Sequence, residues 1–132
     1  MNTNPHWILI VDDDPEVRTL VKRSIRSFSL DFNCFEANHG LEAIQFHQAL
    51  PKHQSISLVV LDLDMPHCNG FELLEYLKEN SMTKSVPVCI HSANSTFKDQ
   101  KVKYHLEKGL SYFDLKHTFS EILSPLTKHH QN

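Results

Sequence analysis

The sequence is poor in the features that would assign it to several large classes. Its three cysteines, Cys34, Cys68 and Cys89, are odd in number and widely spaced, which excludes a disulfide framework and suits a reducing compartment. No apolar run approaches the ~18 residues needed to cross a bilayer, so no membrane is expected. The first residues, Met1-Asn2-Thr3-Asn4-Pro5, carry no basic region and no cleavage site, and a cytoplasmic location is expected. Basic residues are not in excess: the net charge is −3, and nucleic acid is not the expected partner. Internal repeats, low-complexity tracts and Pro/Gly/Ser linkers are also lacking. The 132 residues are therefore read as one domain, 1–132, with a core of about 7–124 and no output domain.

What is present is an alternation of short β-branched runs with longer runs of helical period. Trp7-Ile8-Leu9-Ile10-Val11 is a strand, followed by a helix with Pro15 in its first turn and Asp14 as cap. Phe32–Ala37 is a weaker strand and Leu41–Leu50 a helix. Ile56–Leu61 is the strongest strand, and Phe71, Leu73, Leu74, Tyr76 and Leu77 mark a third helix. Val86–Ile90 is the fourth strand. Residues 97–107 read as a polar helix closed by Lys108-Gly109, and Tyr112–Leu115 as the fifth strand. Thr118-Phe119-Ser120-Glu121 has the spacing of a capping box that opens a last helix, which Pro125 should end or kink near Ser124. Five βα units imply an α/β fold: a flavodoxin-like, doubly wound, five-stranded parallel sheet of order 2-1-3-4-5 with helices on both faces. Ligands of such sheets sit at the carboxyl ends of strands 1 and 3.

Both ends are acidic. Strand 1 runs into Asp12-Asp13-Asp14 and strand 3 into Asp62-Leu63-Asp64. Two like charges 4 Å apart repel by ~1 kcal/mol in water and ~4 at an effective dielectric of 20. Clustered carboxylates therefore need protons or a cation. An all-oxygen donor set suits Mg²⁺, with Mn²⁺ as an alternative, and is a poor zinc site. A lone acidic triplet could equally be helix capping, but a second acidic pair at the same sheet edge argues for a shared site.

In these motifs the chain resembles a response-regulator receiver domain of two-component signalling, chemotaxis-regulator-like, over roughly residues 7–124. The matching pieces are Ile8-Leu9-Ile10-Val11-Asp12-Asp13-Asp14, Leu58-Val59-Val60-Leu61-Asp62-Leu63-Asp64-Met65-Pro66, Gly70, Ser92-Ala93 and Phe113-Asp114-Leu115-Lys116. The resemblance implies that Asp62 is the phosphoacceptor, taking a phosphoryl group from a phosphohistidine as 4-aspartylphosphate. It implies that Asp12, Asp13, Asp62 and the backbone carbonyl of Asp64 hold the metal. Ser92 and Lys116 match the groups that bind phosphoryl oxygens, and Phe113, three residues before Lys116, matches an aromatic switch position. The residue after that lysine is usually proline in the family; here it is His117, and a trans bond is expected.

The resemblance further implies a phosphoacceptor regulator rather than a conventional enzyme, one that can catalyse its own phosphorylation and dephosphorylation. Its donor would be a sensor histidine kinase or histidine phosphotransfer protein, and its output a contact with an unidentified protein. The chain could stand alone or be an excised receiver. Two other readings stay open: a degenerate receiver that binds partners without phosphorylation, and a haloacid-dehalogenase-like phosphatase built on Asp62-Leu63-Asp64, although that motif belongs on a first strand and here follows the third.

Overall fold

The computed structural model describes residues 5–28, 31–64, 70–93 and 102–130, the last five of these as backbone only. Strand β1 (His6–Val11) leads through helix α1 (Pro15–Phe28) to β2 (Asn33–Ala37), then α2 (Gly40–Ala49), β3 (Ser55–Leu61), α3 (Gly70–Glu79), β4 (Val88–Ser92), β5 (Tyr104–Glu107) and α4 (Tyr112–His130). All neighbouring strands pair in parallel, in the order β2-β1-β3-β4-β5. The expected strand order and parallel pairing are the observed ones. Among the described residues no helix is long and apolar enough to cross a membrane.

Period-2 alternation along the central strands builds two cores. Leu9, Val11, Val59, Leu61 and Ile90 face α2 and α3, where Ala43, Leu73, Leu74 and Leu77 meet them. Ile8, Ile10, Leu58, Val60 and Cys89 face α1 and α4, where Val21, Ile25, Leu115, Phe119 and Leu123 meet them. Between Trp7 and Ile8 the β1–β3 register shifts, so that Trp7 pairs with Ile56 and Ile8 with Leu58. That leaves Ser57 as the extra residue of a bulge. Beyond it the register runs unbroken to Val11 opposite Leu61, which brings the two strand ends level at one sheet edge.

Local chemistry fixes the helix starts. Asp14 Oδ1 accepts from the Glu16 amide at 2.9 Å, the cap expected before Pro15. At α2, His39 Nδ1 takes the place of a capping hydroxyl and accepts from the Glu42 amide at 3.2 Å, while Glu42 Oε1 accepts from the Asn38 amide at 2.9 Å.

The C-terminal third departs from expectation. Residues 104–107 are strand β5, not the end of a helix, and 112–115 are the first turn of α4, not a strand. The reason lies in the cap. Ser111-Tyr112-Phe113-Asp114 is itself a capping box: Ser111 Oγ accepts from the Asp114 amide at 3.2 Å and Asp114 Oδ2 accepts from the Ser111 amide at 3.4 Å. Leu115, Phe119, Ile122 and Leu123 then form one buried stripe at helical spacing. Thr118–Glu121 lies inside this helix, where His117 Nε2 meets Glu121 Oε1 at 3.2 Å one turn on. Gly109, at φ 98°, supplies the left-handed turn between β5 and α4. Pro125 neither ends nor shortens the helix, which runs on to His130. A single lost amide donor is outweighed by the apolar stripe that holds the preceding turns against α1. Residues 94–101, where the expected polar helix begins, and Met65-Pro66 lie outside the described residues.

Candidate functional site

Asp12 and Asp62 each stand one residue beyond their strands, and the ladder holds them there. The Asp12 amide donates to the Ala37 carbonyl at 3.1 Å and the Asp62 amide to the Val11 carbonyl at 3.0 Å. Both carboxylates are buried, at 3% and 2% exposure, whereas Asp13 is exposed. Oxygen atoms of Asp12, Asp13 and Asp62 lie within 4.8 Å of one another. Acids 50 residues apart in sequence thus meet, as their strand ends dictate.

The cation that meets them is Lys108. Its amide donates to the Ser92 carbonyl at 3.0 Å, extending the β4–β5 ladder by one residue. Its ammonium reaches back over β4 to Asp62 Oδ2 at 2.8 Å and Asp12 Oδ2 at 2.9 Å. Lys116, the expected lysine, is an exposed residue of α4 beside Ser27, Phe28 and Phe113, and no ion pair joins it to the carboxylates. The displacement follows from the shift of β5 by eight residues toward the N-terminus. Phe113 moves with it: the ring is 75% exposed on the first turn of α4 and packs edge-on against Tyr112. The position three residues before the site lysine is held by His105, exposed, with Nε2 3.1 Å from the Val102 carbonyl. The Lys116–His117 bond lies within α4 and bears on the site no longer.

Ser92 ends β4, is 3% exposed, and its hydroxyl donates to Asp64 Oδ2. Asp64 in turn donates its amide to Asp62 Oδ1 at 2.8 Å. The Asp14 amide satisfies Asp12 Oδ1 at 2.9 Å. Arg18, from the first turns of α1, donates to the Asp12 carbonyl at 2.6 Å and pairs with Glu36 at 3.3 Å, fixing the strand–helix turn. Asp12 Oδ2 is buried and accepts no aligned hydrogen bond, its partner being the Lys108 charge.

Burial pushes the Asp12 carboxyl up, against the Asp14 amide and Lys108, which pull it down. Burial also works against the Lys108 ammonium, but its contacts with Asp62 and Asp12 and the charge of both win, and its pKa is raised. Three carboxylates against one ammonium leave the cluster formally two charges negative. A hard divalent cation would balance that charge, and the donor set, all oxygen with one buried oxygen lacking an aligned donor, fits one. Sequence reasoning missed Lys108. The signals for it were present: alternation in Tyr104-His105-Leu106-Glu107, and Ser111-x-x-Asp114 as the earlier capping box.

Beside the cluster lies His91, buried in β4 at 4% exposure with Nδ1 unpartnered. Burial, with a smaller push from the Lys108 charge, lowers its pKa to about 4, so the ring is neutral at pH 7.

Residues 8–124 match the family model described as the response regulator receiver domain. The nitrate/nitrite response regulator protein NarL of Escherichia coli K12 is 38% identical over 88 residues, 66% of this chain and 38% of NarL. The two-component response regulator ORR5 of Oryza sativa subsp. japonica is 31% identical over 112 residues, 85% of this chain and 78% of ORR5. The chain spans less than half the length of several curated relatives that it matches. Among solved structures, the Mn²⁺-bound form of response regulator Rcp1 superposes with a TM-score of 0.68 at 25% identity, covering 91% of this chain and 93% of that one.

Proposed function

The chain belongs to the response regulator receiver family, and on that premise we propose that it is a phosphoacceptor switch whose nucleophile is Asp62. The observation that carries the reading is the convergence of Asp12, Asp13, Asp62 and Lys108 at the carboxyl edge of β1, β3 and β5. An Asp62 carboxylate oxygen attacks the phosphorus of a phosphohistidine. The N–P bond breaks, its electron pair returns to the imidazole nitrogen, and an acyl phosphate remains on Asp62. Phosphoryl transfer asks chiefly for alignment and charge neutralisation. Lys108, already 2.8 Å from Asp62 Oδ2, lowers the repulsion between an anionic acceptor and its anionic donor. Asp12 and Asp13, with Asp62 and the Asp64 carbonyl, would hold Mg²⁺ or Mn²⁺, which when bound neutralises charge on the phosphoryl oxygens. Ser92, at the end of the neighbouring strand, is the hydroxyl that the new dianion recruits.

The donor in this reading is a sensor histidine kinase or histidine phosphotransfer protein, and the output is a protein–protein contact altered by the new charge. The test is incubation with acetyl phosphate and Mg²⁺, read by intact mass. A single phosphoryl adduct, lost in Asp62→Asn and lost with a chelator, is expected. An undiminished adduct in Asp62→Asn, or none in the wild type, overturns the proposal and favours a phosphorylation-independent binding module.

A further inference from the structure

Asp64 is an acidic residue whose side chain the phosphoacceptor reading leaves unused. Its amide binds Asp62 Oδ1 at 2.8 Å, and its carboxylate accepts the Ser92 hydroxyl across the gap between the ends of β3 and β4. We propose, building on the reading of Asp62 as phosphoacceptor, that Asp64 is a positioning residue that latches Ser92 in the unphosphorylated state. It thereby sets how readily the site accepts a phosphoryl group.

Ser92 is short of donors. A serine hydroxyl has one O–H to give. In this structure it is given to Asp64 Oδ2. Ser92 is 3% exposed, so its hydroxyl is closed to bulk water, while the Asp64 that holds it is an exposed residue at the rim of the site. A phosphoryl group on Asp62 and the Asp64 carboxylate are then two anions competing for one proton donor, and the first can win only by breaking the second's hold. Asp64 opposes the phosphoryl group twice over: it occupies the hydroxyl, and it places a like charge within two residues of the new dianion. The two effects are separable in the side chain. Asparagine keeps an oxygen acceptor for Ser92 and drops the charge, whereas alanine drops both. Neither change touches the backbone carbonyl of residue 64, the atom that the family resemblance assigns to the metal.

The test compares fluoroberyllate affinity, in the presence of Mg²⁺, among wild type, Asp64→Asn and Asp64→Ala, each with Ser92 intact and with Ser92→Ala. Affinity should rise several-fold in Asp64→Asn and roughly tenfold or more in Asp64→Ala, since a hydrogen bond to a charged group is among the stronger ones. In the Ser92→Ala background the asparagine and alanine variants should bind alike, because no hydroxyl is left to latch. Equal affinities of the two variants with Ser92 intact, or weaker binding in Asp64→Ala, overturn the latch. A second readout needs neither metal nor fluoroberyllate: the Ser92 Cβ chemical shift should move in Asp64→Ala and stay near its wild-type position in Asp64→Asn. Wild type that binds no fluoroberyllate sinks the phosphoacceptor reading, and the metal-free shift then still decides the Ser92–Asp64 contact. An unmoved shift in Asp64→Ala refutes the latch.

Discussion

The centre and the edge of the sheet are built differently, and the site draws on both. In β1 and β3 almost every residue beyond the bulge is buried on both faces. In β5 half-buried Tyr104 and Leu106 alternate with exposed His105 and Glu107. The centre supplies Asp12 and Asp62, locked by ladder amides into a rigid apolar layer. The edge supplies Lys108, one residue past a strand that exposes His105 and Glu107. The acids are thus buried in the covered centre, and the cation that meets them stands at the rim, its side chain 23% exposed.

The largest contrast should appear in stability. Leu9→Ala or Leu58→Ala, both fully buried, should cost about 3–5 kcal/mol. Leu106→Ala on the edge should cost about half as much, read from urea midpoints at constant m. Equal losses would erase the distinction between centre and edge.

Next comes the site cation. Lys108→Ala should slow phosphoryl uptake from acetyl phosphate by about 10²-fold, as loss of one aimed donor does elsewhere. Lys116→Ala, on the exposed face of α4, should stay within twofold of wild type. The opposite ranking would restore the lysine that the family resemblance pointed to.

The third contrast is pH. The His91 pKa is 6.5 in an ordinary setting and about 4 when folded. Between those values the unfolded chain binds more protons, so stability is complete above about pH 6.5 and lost as pH falls toward 4, by up to ~3 kcal/mol. Asp12, raised by burial, works with the opposite sign, so the difference between wild type and His91→Leu isolates the histidine. Urea midpoints at pH 7 and pH 4.5 should fall less in the variant, and an unchanged slope would remove His91 from the account.

The smallest effect concerns the helix start. Ser111→Ala should cost about 1 kcal/mol as a lost cap, and Thr118→Ala, inside α4, less than about 0.5. Thermal midpoints of the two variants decide it.

The same contrast explains what the sequence made legible. Ile8–Val11 and Leu58–Leu61 are apolar runs whose only stable place is a covered sheet centre, so strand order and the meeting of Asp12 with Asp62 follow from them. Lys103-Tyr104-His105-Leu106-Glu107-Lys108 carries its alternation in two half-buried residues only, and its charges resemble those of a polar helix. Two capping boxes seven residues apart, at Ser111 and Thr118, then offered two starts for one helix. The choice rested on whether Leu115 joins the stripe of Phe119 and Leu123, which is a tertiary fact. Ser92 needed no such choice, because it ends a strand whose place beside β3 was clear. The contact between Ser92 and Asp64 spans two strand ends, and no local pattern announces it.

The central claim is that acids from β1 and β3 and the lysine after β5 make one carboxylate, Asp62, the acceptor. Borohydride reduction of the acetyl phosphate-treated protein, followed by peptide mapping, tests it most directly, because only a phosphorylated carboxyl is converted to the alcohol. The account predicts homoserine at position 62 alone, formed in the presence of Mg²⁺; homoserine at position 12, 13 or 64, or at none, would contradict it.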